Sequence, residues 1–353
     1  MIKEAVRKLV EGRGLSPSEA EAAMEEIMSG KATQAQIGAF LTALRMKGET
    51  VSEIVAFAKV MRKLCRRISP RVRGRLLDTC GTGGDKIKTF NVSTTAAFVV
   101  AGAGIHVAKH GNRSVTSKSG SADVLESLGL NLNLPPRKVE EAIEREGIGF
   151  MFAPGFHKAM KRVARPRQEM GIRTVFNVLG PLTNPAGANA QVLGVYDGGL
   201  VEHLSFTLRE LGCQEAMVVH GLDGMDEIST VGKTKIAWLK DGDIEVSLVS
   251  PRELGVKRAR IEEISGTSPD GNAEIAFNVL KGNYGKGDPR TEIVLVNAAA
   301  GVVVGGKADD LIHGKEVAWE SIESGAAYEK LRRLIKFSGG SLSRLEGLER
   351  KYG

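Results

Sequence analysis

Cysteine is scarce: Cys65, Cys80 and Cys213 are the only three in 353 residues. An odd, scattered set forms neither a disulfide framework nor paired metal ligands, and it points to a reducing cytoplasm. Aromatic side chains make up 5% of the chain, with two tryptophans. That argues against a single-strand nucleic-acid binder, which stacks bases on aromatic platforms. Long apolar runs are missing. The most apolar stretch, 94–108, is broken by Gly102 and Gly104. At about 15 residues it is too short for a membrane span. The first residues are charged and amphipathic, without the apolar core of a signal peptide. The 11 prolines come with no Gly-X-Y period, so a collagen-like chain is excluded.

What is abundant is glycine, 43 of 353 residues or about 12%, against a usual level of about 7%. With 42% apolar residues the chain has ample material for a core, so the glycines point to tight turns or close approach to a ligand, not disorder. The length suggests roughly two domains. The formal net charge is +7, which favours an anionic partner: nucleic acid, a membrane surface or a phosphorylated metabolite.

The first 65 residues read as three short helices. Ser16-Pro17-Ser18-Glu19 is a capping box with proline at the first helical position, followed by Met24, Ile27 and Met28 at helical spacing. Thr33 and Gln36 repeat the box, and Gly30 and Gly48 stand where helices stop. Ile54, Val55, Ala58, Met61 and Leu64 mark the third helix. Arg66, Arg67, Arg71, Arg73 and Arg75 around Pro70 read as a solvated basic linker. Beyond it, strands at 76–78, 105–108, 148–153, 192–196 and 216–220 alternate with helices at 92–101, 122–128, 138–146, around 157–170 and at 201–211. A hairpin at 236–249 turns at Asp241-Gly242, and helices at 292–304 and 315–336 follow. The expected class is α/β: a small N-terminal helical domain and a large domain with a mainly parallel sheet covered by helices.

Four constellations carry chemistry. In "DTCGTGGD" (78–85), Gly81, Gly83 and Gly84 follow a strand closely, so backbone N–H groups can face an anion. "NVST" (91–94) then opens a helix, whose free N–H groups and dipole favour phosphate. Alone, the glycines are equally a tight turn before an N-cap. The spacing matches neither a Walker loop nor Gly-x-Gly-x-x-Gly. The second, "KHGNRSVTSKSGS" (109–121), leaves a strand at its carboxyl end and is crowded with cations, hydroxyls and amides, as polyphosphate recognition requires. The bland alternative is a polar surface loop. The third, "HGLDGMDE" (220–227), places Asp226 beside Glu227, oxygen donors suited to Mg2+, with Asp223 a weaker candidate. Two solvated acids are the competing reading. The fourth, "RPRQEMGIRTVFNVLGPLTNP" (165–185), supplies arginines for a carboxylate within a proline-shaped crossover, or merely a linker. Of six histidines, only His110 has a rich context; His106 reads as a packed strand residue.

Together, in this order and across nearly the whole chain, these motifs resemble the anthranilate phosphoribosyltransferases. The resemblance implies a homodimeric, Mg2+-dependent, cytoplasmic enzyme of tryptophan biosynthesis with two ions per subunit. Its fold is shared with nucleoside phosphorylases: a helical domain at 1–70, joined by a returning segment near 165–185, and an α/β domain at 71–353. Its partners would be anthranilate and 5-phosphoribosyl 1-diphosphate, with no nucleic acid and no membrane. The family's phosphoribosyl diphosphate positions fall on Gly81, Gly84, Asp85, Thr89, Asn91, Val92, Ser93, Thr94, Lys109, His110, Gly111, Asn112, Arg113, Ser114, Val115, Thr116, Ser117 and Ser121. The anthranilate contacts fall on Gly81, Asn112 and Arg167, and the metal positions on Ser93, Asp226 and Glu227. Lys109, Arg167 and His110 are the implied catalytic set, with His110 either lining the aromatic pocket or relaying a proton. Two rivals stand beside this reading: a pyrimidine nucleoside phosphorylase, and a non-catalytic nucleic-acid binder using the +7 charge.

Overall fold

Side-chain capping decides where three of the four N-terminal helices begin. A computed structural model describes residues 1–84, 86–114 and 119–353. Helices α2 (Pro17–Met28), α3 (Gln34–Lys47) and α4 (Val51–Leu64) follow α1 (Ile2–Val10), so this region holds one helix more than the periodicity predicts. Ser16 Oγ accepts the Glu19 N–H at 3.3 Å while Glu19 Oε2 accepts the Ser16 N–H at 3.0 Å. Thr33 with Gln36 and Thr50 with Glu53 repeat this reciprocal pairing, which satisfies two orphan donors per helix.

The linker arginines 66, 67, 71 and 73 are exposed, as a solvated stretch should be. Arg75 differs: it pairs with the buried Glu215 and donates to the Val304 carbonyl at 2.9 Å.

Seven strands form one sheet: β1 (Leu76–Gly81), β2 (His106–Gly111), β3 (Ile148–Phe152), β4 (Ala190–Gly194), β5 (Glu215–Gly221), β6 (Thr234–Lys240) and β7 (Asp243–Val249). Their order is β3-β2-β1-β4-β5-β6-β7. β1 to β5 run parallel, and the β6–β7 hairpin closes one edge antiparallel. Asp241 (φ 52°) and Gly242 (φ 87°) make its two-residue turn, where both positions need positive φ.

Two strands run further than their apolar pattern suggests, because pairing outlasts it. Lys109, His110 and Gly111 pair with Phe150, Met151 and Phe152 and so belong to β2, not to the loop beyond it. Gly81 pairs with Gly194 at the end of β1. The helix expected over 315–336 is two, Leu311–Glu323 and Ala326–Phe337, broken at Gly325 with φ 76°.

Alternation along each strand splits the core. Leu77, Val192, Met217 and Ile236 face helices α5 (Val92–Gly102) and Pro289–Val304. Leu193, Val218, Ala237 and Leu239 join a second core with helix Leu200–Glu210, the N-terminal helices and Val175–Leu182 side chains. The helix Pro289–Val304 is buried on all sides from Thr291 onward, so from Ile293 its sequence is apolar all round except at Asn297. Among the described residues, no helix is long and apolar enough to cross a membrane.

Candidate active site

The chain leaves β1 for β2 on one side, while β4 lies on the other. Strand order therefore reverses at β1/β4, and ligands of open α/β sheets bind beyond the carboxyl ends at such a point. The predicted motifs converge there.

The loop after β5 folds back over the ends of β1 and β4. Asp226 Oδ2 accepts the Gly83 N–H at 2.9 Å, and Glu227 Oε1 accepts the Ser93 N–H at 3.1 Å in the first turn of α5. Both acids are buried. This approach needs two glycines. A Cβ on Gly81 would lie 2.5 Å from Asp226 Oδ2, and one on Gly194 would overlap the Asp226 carbonyl oxygen. Gly194 carries no signal in the sequence; nothing near it in the chain announces the loop that arrives from afar. Burial pushes the Asp226 carboxyl above its ordinary value, against the Gly83 N–H.

The donors expected to face a substrate anion are thus partly engaged by the protein's own carboxylates. Thr82 N–H is taken too, by the Gly194 carbonyl at 2.9 Å. A phosphate arriving here meets Asp226 and Glu227, and like charges in a buried site repel unless a cation lies between them. The Ser93 hydroxyl belongs to the residue whose N–H meets Glu227. Among the described residues, no cluster of three or more His, Cys, Asp or Glu is placed to hold a metal. Two carboxylates and a hydroxyl fit Mg2+, which completes its octahedron with waters and substrate phosphates.

The start of α5 is held from several sides. Asn91, at the N-cap position, makes no side-chain cap bond. Its amide instead donates to the Ser119 carbonyl at 3.3 Å and accepts from Asn272 at 3.1 Å. Thr89 bridges Ser265, and Val92 and Thr94 are buried.

Lys109 corrects the expectation of a loop cation. As a β2 residue it is buried, and its Nζ donates to the Thr79 carbonyl. Burial pulls its ammonium below the ordinary value, with Asp78, Cys80 and Glu227 opposing. Asp78 lies beneath the site, accepting from Asn184 at 2.7 Å and from the His110 N–H at 3.2 Å. Burial raises its carboxyl to about 6, against Lys109 and these bonds.

Arg113 is an exposed cation held by acids of its own chain. It pairs with Asp123 at 2.9 Å and Glu126 at 2.8 Å, so its charge is answered within the chain. Asn112 is exposed, and its carbonyl accepts from Ser121 Oγ at 3.3 Å. Asp123 also accepts the Ser114 N–H at 3.1 Å. A Cβ on Gly111 would strike Ser121 and Phe150. Gly84 has φ 78°, and its carbonyl accepts from Arg173. The expected contacts at Asp85, Val115, Thr116 and Ser117, and Lys118 with them, lie outside the described residues.

Arg167 sits in helix Lys161–Met170, its guanidinium 5.4 Å from the Phe176 ring centre. Among the described residues, no acid lies within ion-pair distance of it. Burial lowers its pKa. A half-buried guanidinium without an acid partner favours an incoming carboxylate. His110 lies beside His157, ring centres 5.0 Å apart and planes tilted by 47°, and Nε2 of each is buried without a partner among the described residues. Burial pulls His110 down to about 3, aided by His157, and His157 to about 4. Both rings are therefore neutral near pH 7. His157 is a lone histidine in the sequence, and only the fold pairs it with His110. A depression of about 350 Å3 lined by Lys59, Arg62, Lys63 and Arg67 lies elsewhere, and no predicted site residue lines it.

Known proteins resemble this chain over nearly its whole length. Residues 73–328 match the glycosyl transferase family a/b domain, and 3–65 its helical bundle domain. An anthranilate phosphoribosyltransferase of Pelotomaculum thermopropionicum is 52% identical over 339 residues, covering 96% of this chain and 97% of that protein. The chain belongs to the anthranilate phosphoribosyltransferase family. The family's enzyme from Thermus thermophilus has been solved; it is 42% identical, with a TM-score of 0.89 over 95% of this chain and 99% of that one. The Saccharomyces cerevisiae anthranilate phosphoribosyltransferase, solved in complex with PRPP and Mg, is 30% identical with a TM-score of 0.88, covering 96% and 98%. Membership makes this chain a pentosyl-transferring enzyme of tryptophan biosynthesis. Neither a nucleoside phosphorylase nor a nucleic-acid binder gains support.

Proposed function

We propose that the chain moves the phosphoribosyl group of 5-phosphoribosyl 1-diphosphate onto the amine of anthranilate, releasing diphosphate, with the residues below in the stated roles. The observation that carries the proposal is the docking of Asp226 and Glu227 against the glycine loop and the start of α5. Carboxylates in a phosphate-binding corner make sense when the phosphates arrive with a metal.

Asp226, Glu227 and Ser93 would hold Mg2+, which supplies charge stabilisation for the departing diphosphate. Gly81 and Gly84 keep the corner open for the diphosphate, and Asn91, Thr94, Gly111, Asn112 and Ser121 surround the phosphoribosyl group. Lys109 acts from beneath, its positive charge favouring a phosphate-bearing site without leaving its carbonyl partner. Arg167 receives the anthranilate carboxylate and, with Asn112 and Gly81, aims the amine. An aryl amine is uncharged at neutral pH, so positioning and electrostatics can supply most of the acceleration. His110 and His157 form a neutral wall behind the site. We further infer a cytoplasmic homodimer with two Mg2+ per subunit. We also infer a helical unit at 1–70 joined by 165–185, and an α/β unit at 71–353.

The test follows anthranilate fluorescence with 5-phosphoribosyl 1-diphosphate and Mg2+. Fluorescence should fall only when all components are present. A signal that stays level in the complete mixture would overturn the proposal.

A further inference from the structure

The loop carrying Asp226 and Glu227 is buried along most of its length. A buried loop must satisfy backbone groups that no sheet ladder reaches. At Ile228, directly after the acid pair, one side chain does this alone. Asn297 Oδ1 accepts the Ile228 N–H at 2.8 Å, and Asn297 Nδ2 donates to the Ile228 carbonyl at 3.0 Å. The second Nδ2 hydrogen goes to the Ile293 carbonyl at 2.8 Å. Gripping both groups of one residue imitates a rung of a β-ladder and fixes the chain in position and direction.

Asn297 sits in the helix Pro289–Val304, where its neighbours Val294, Leu295, Val296, Ala298 and Ala299 are apolar and buried. Burying an amide there is costly unless every bond is made. The far side of the loop has its own brace. Ser229 Oγ donates to Asp223 and accepts the N–H groups of Val231 at 2.9 Å and Gly232 at 3.0 Å. Asp223 thereby braces the loop, accepting also the Met225 N–H at 3.2 Å.

We propose that Asn297 is a positioning residue for the metal site: by clamping Ile228 it sets where Asp226 and Glu227 project, and so how tightly the divalent cation is held. This rests on reading those two acids as metal ligands. Asn297 touches neither metal nor substrate, and its effect is transmitted through the Ile228 backbone.

The experiment titrates Mn2+ into the full-length protein with inorganic diphosphate present, reading free Mn2+ by electron paramagnetic resonance. Asn297→Leu removes both bonds to Ile228; Asn297→Asp keeps the acceptor and loses the donors. Groups that support metal ligands typically change affinity by about 10- to 100-fold when removed. The leucine variant should fall in that range, with the aspartate variant between it and the unaltered protein. Ser229→Ala, at the other brace, should weaken Mn2+ by a smaller factor. Val302→Ala, in the same helix but away from the loop, should lower thermal stability and leave Mn2+ affinity alone. Unaltered Mn2+ affinity in a folded Asn297 variant overturns the proposal. If both Asn297 variants fail to fold, Ser229→Ala decides: unaltered affinity there overturns it. Weakening by Val302→Ala equal to that of the Asn297 variants also overturns it, since stability alone would then explain the effect. Glu227→Gln separates the two readings. If it too leaves Mn2+ binding intact, the acid pair is not the metal site; if it weakens binding while the Asn297 and Ser229 variants do not, only the positioning role fails.

Discussion

The loop after β5 and the chain leaving β2 depart from the same edge of the sheet, and they are secured in opposite ways. The β5 loop is acidic, buried and pinned by hydrogen bonds to Gly83, Ser93, Asn297 and Thr234. The chain after β2 is basic and exposed at Asn112 and Arg113, and it is tied by surface ion pairs to Asp123 and Glu126. Losing a buried hydrogen bond leaves an unsatisfied group, at about 1–3 kcal/mol each. A surface ion pair contributes about 0–1 kcal/mol and weakens with salt. The acid corner is therefore built before substrate arrives, whereas Arg113 on the basic side is held by ion pairs that a phosphate can replace.

The largest break in this comparison should come from the acids. Asp226→Asn with Glu227→Gln should reduce turnover by about 100-fold or more, the scale of a lost electrostatic stabiliser. It should also alter the Mg2+ dependence in steady-state kinetics. Full activity with an unaltered Mg2+ titration would remove these residues from the site. Arg167 belongs to neither loop and serves as the reference. Arg167→Ala should raise the anthranilate KM by about 10- to 100-fold, the value of a charge-assisted hydrogen bond, and spare that of phosphoribosyl diphosphate. An unaltered anthranilate KM and kcat would refute that role.

Gly194→Ala should act on the acid side alone. Its new methyl meets the Asp226 carbonyl, so unfolding by urea should show a loss of about 1–3 kcal/mol, with weaker Mg2+ activation. A variant as stable as its parent would mean that the loop yields easily. Arg113→Gln should cost about 1 kcal/mol or less, diminishing further in high salt. A loss matching that of Gly194→Ala would erase the contrast.

The smallest effect concerns the two histidines. Burial lowers both pKa values, so the uncharged form is the one folded, and stability is lost as pH falls from about 6.5 towards 4 and 3. Between pH 6 and 8 both stay neutral. The kcat/KM profile should then show no inflection of histidine origin near 6.5, and one that vanished in His110→Asn would contradict the neutral wall.

Local signals were legible in the chain, and distant ones were not. Ser16 with Glu19 and Thr33 with Gln36 announce helix starts because donor and acceptor are three residues apart. Asp241-Gly242 announces its hairpin for a similar reason. Lys109 reads as a loop residue in the sequence because its strand is extended by partners on β3, some forty positions along. The acid pair and the arginine of helix Lys161–Met170 were visible as motifs. Gly194 and His157 become meaningful only beside Asp226 and His110. Asn297 left one trace, a lone amide in the run "IVLVNAAAGVVV", where a polar residue needs a reason.

The bare α-carbon of Gly194 has a consequence for reading related chains. It records the shape of the acidic loop, not its charge. A duplicated copy that had exchanged both acids for amides would still need glycine there to seat the loop. Such a copy would keep the cradle while losing the metal, and glycine at the ends of β1 and β4 should therefore be read as a mark of architecture. Activity must be judged separately, from the two carboxylates themselves.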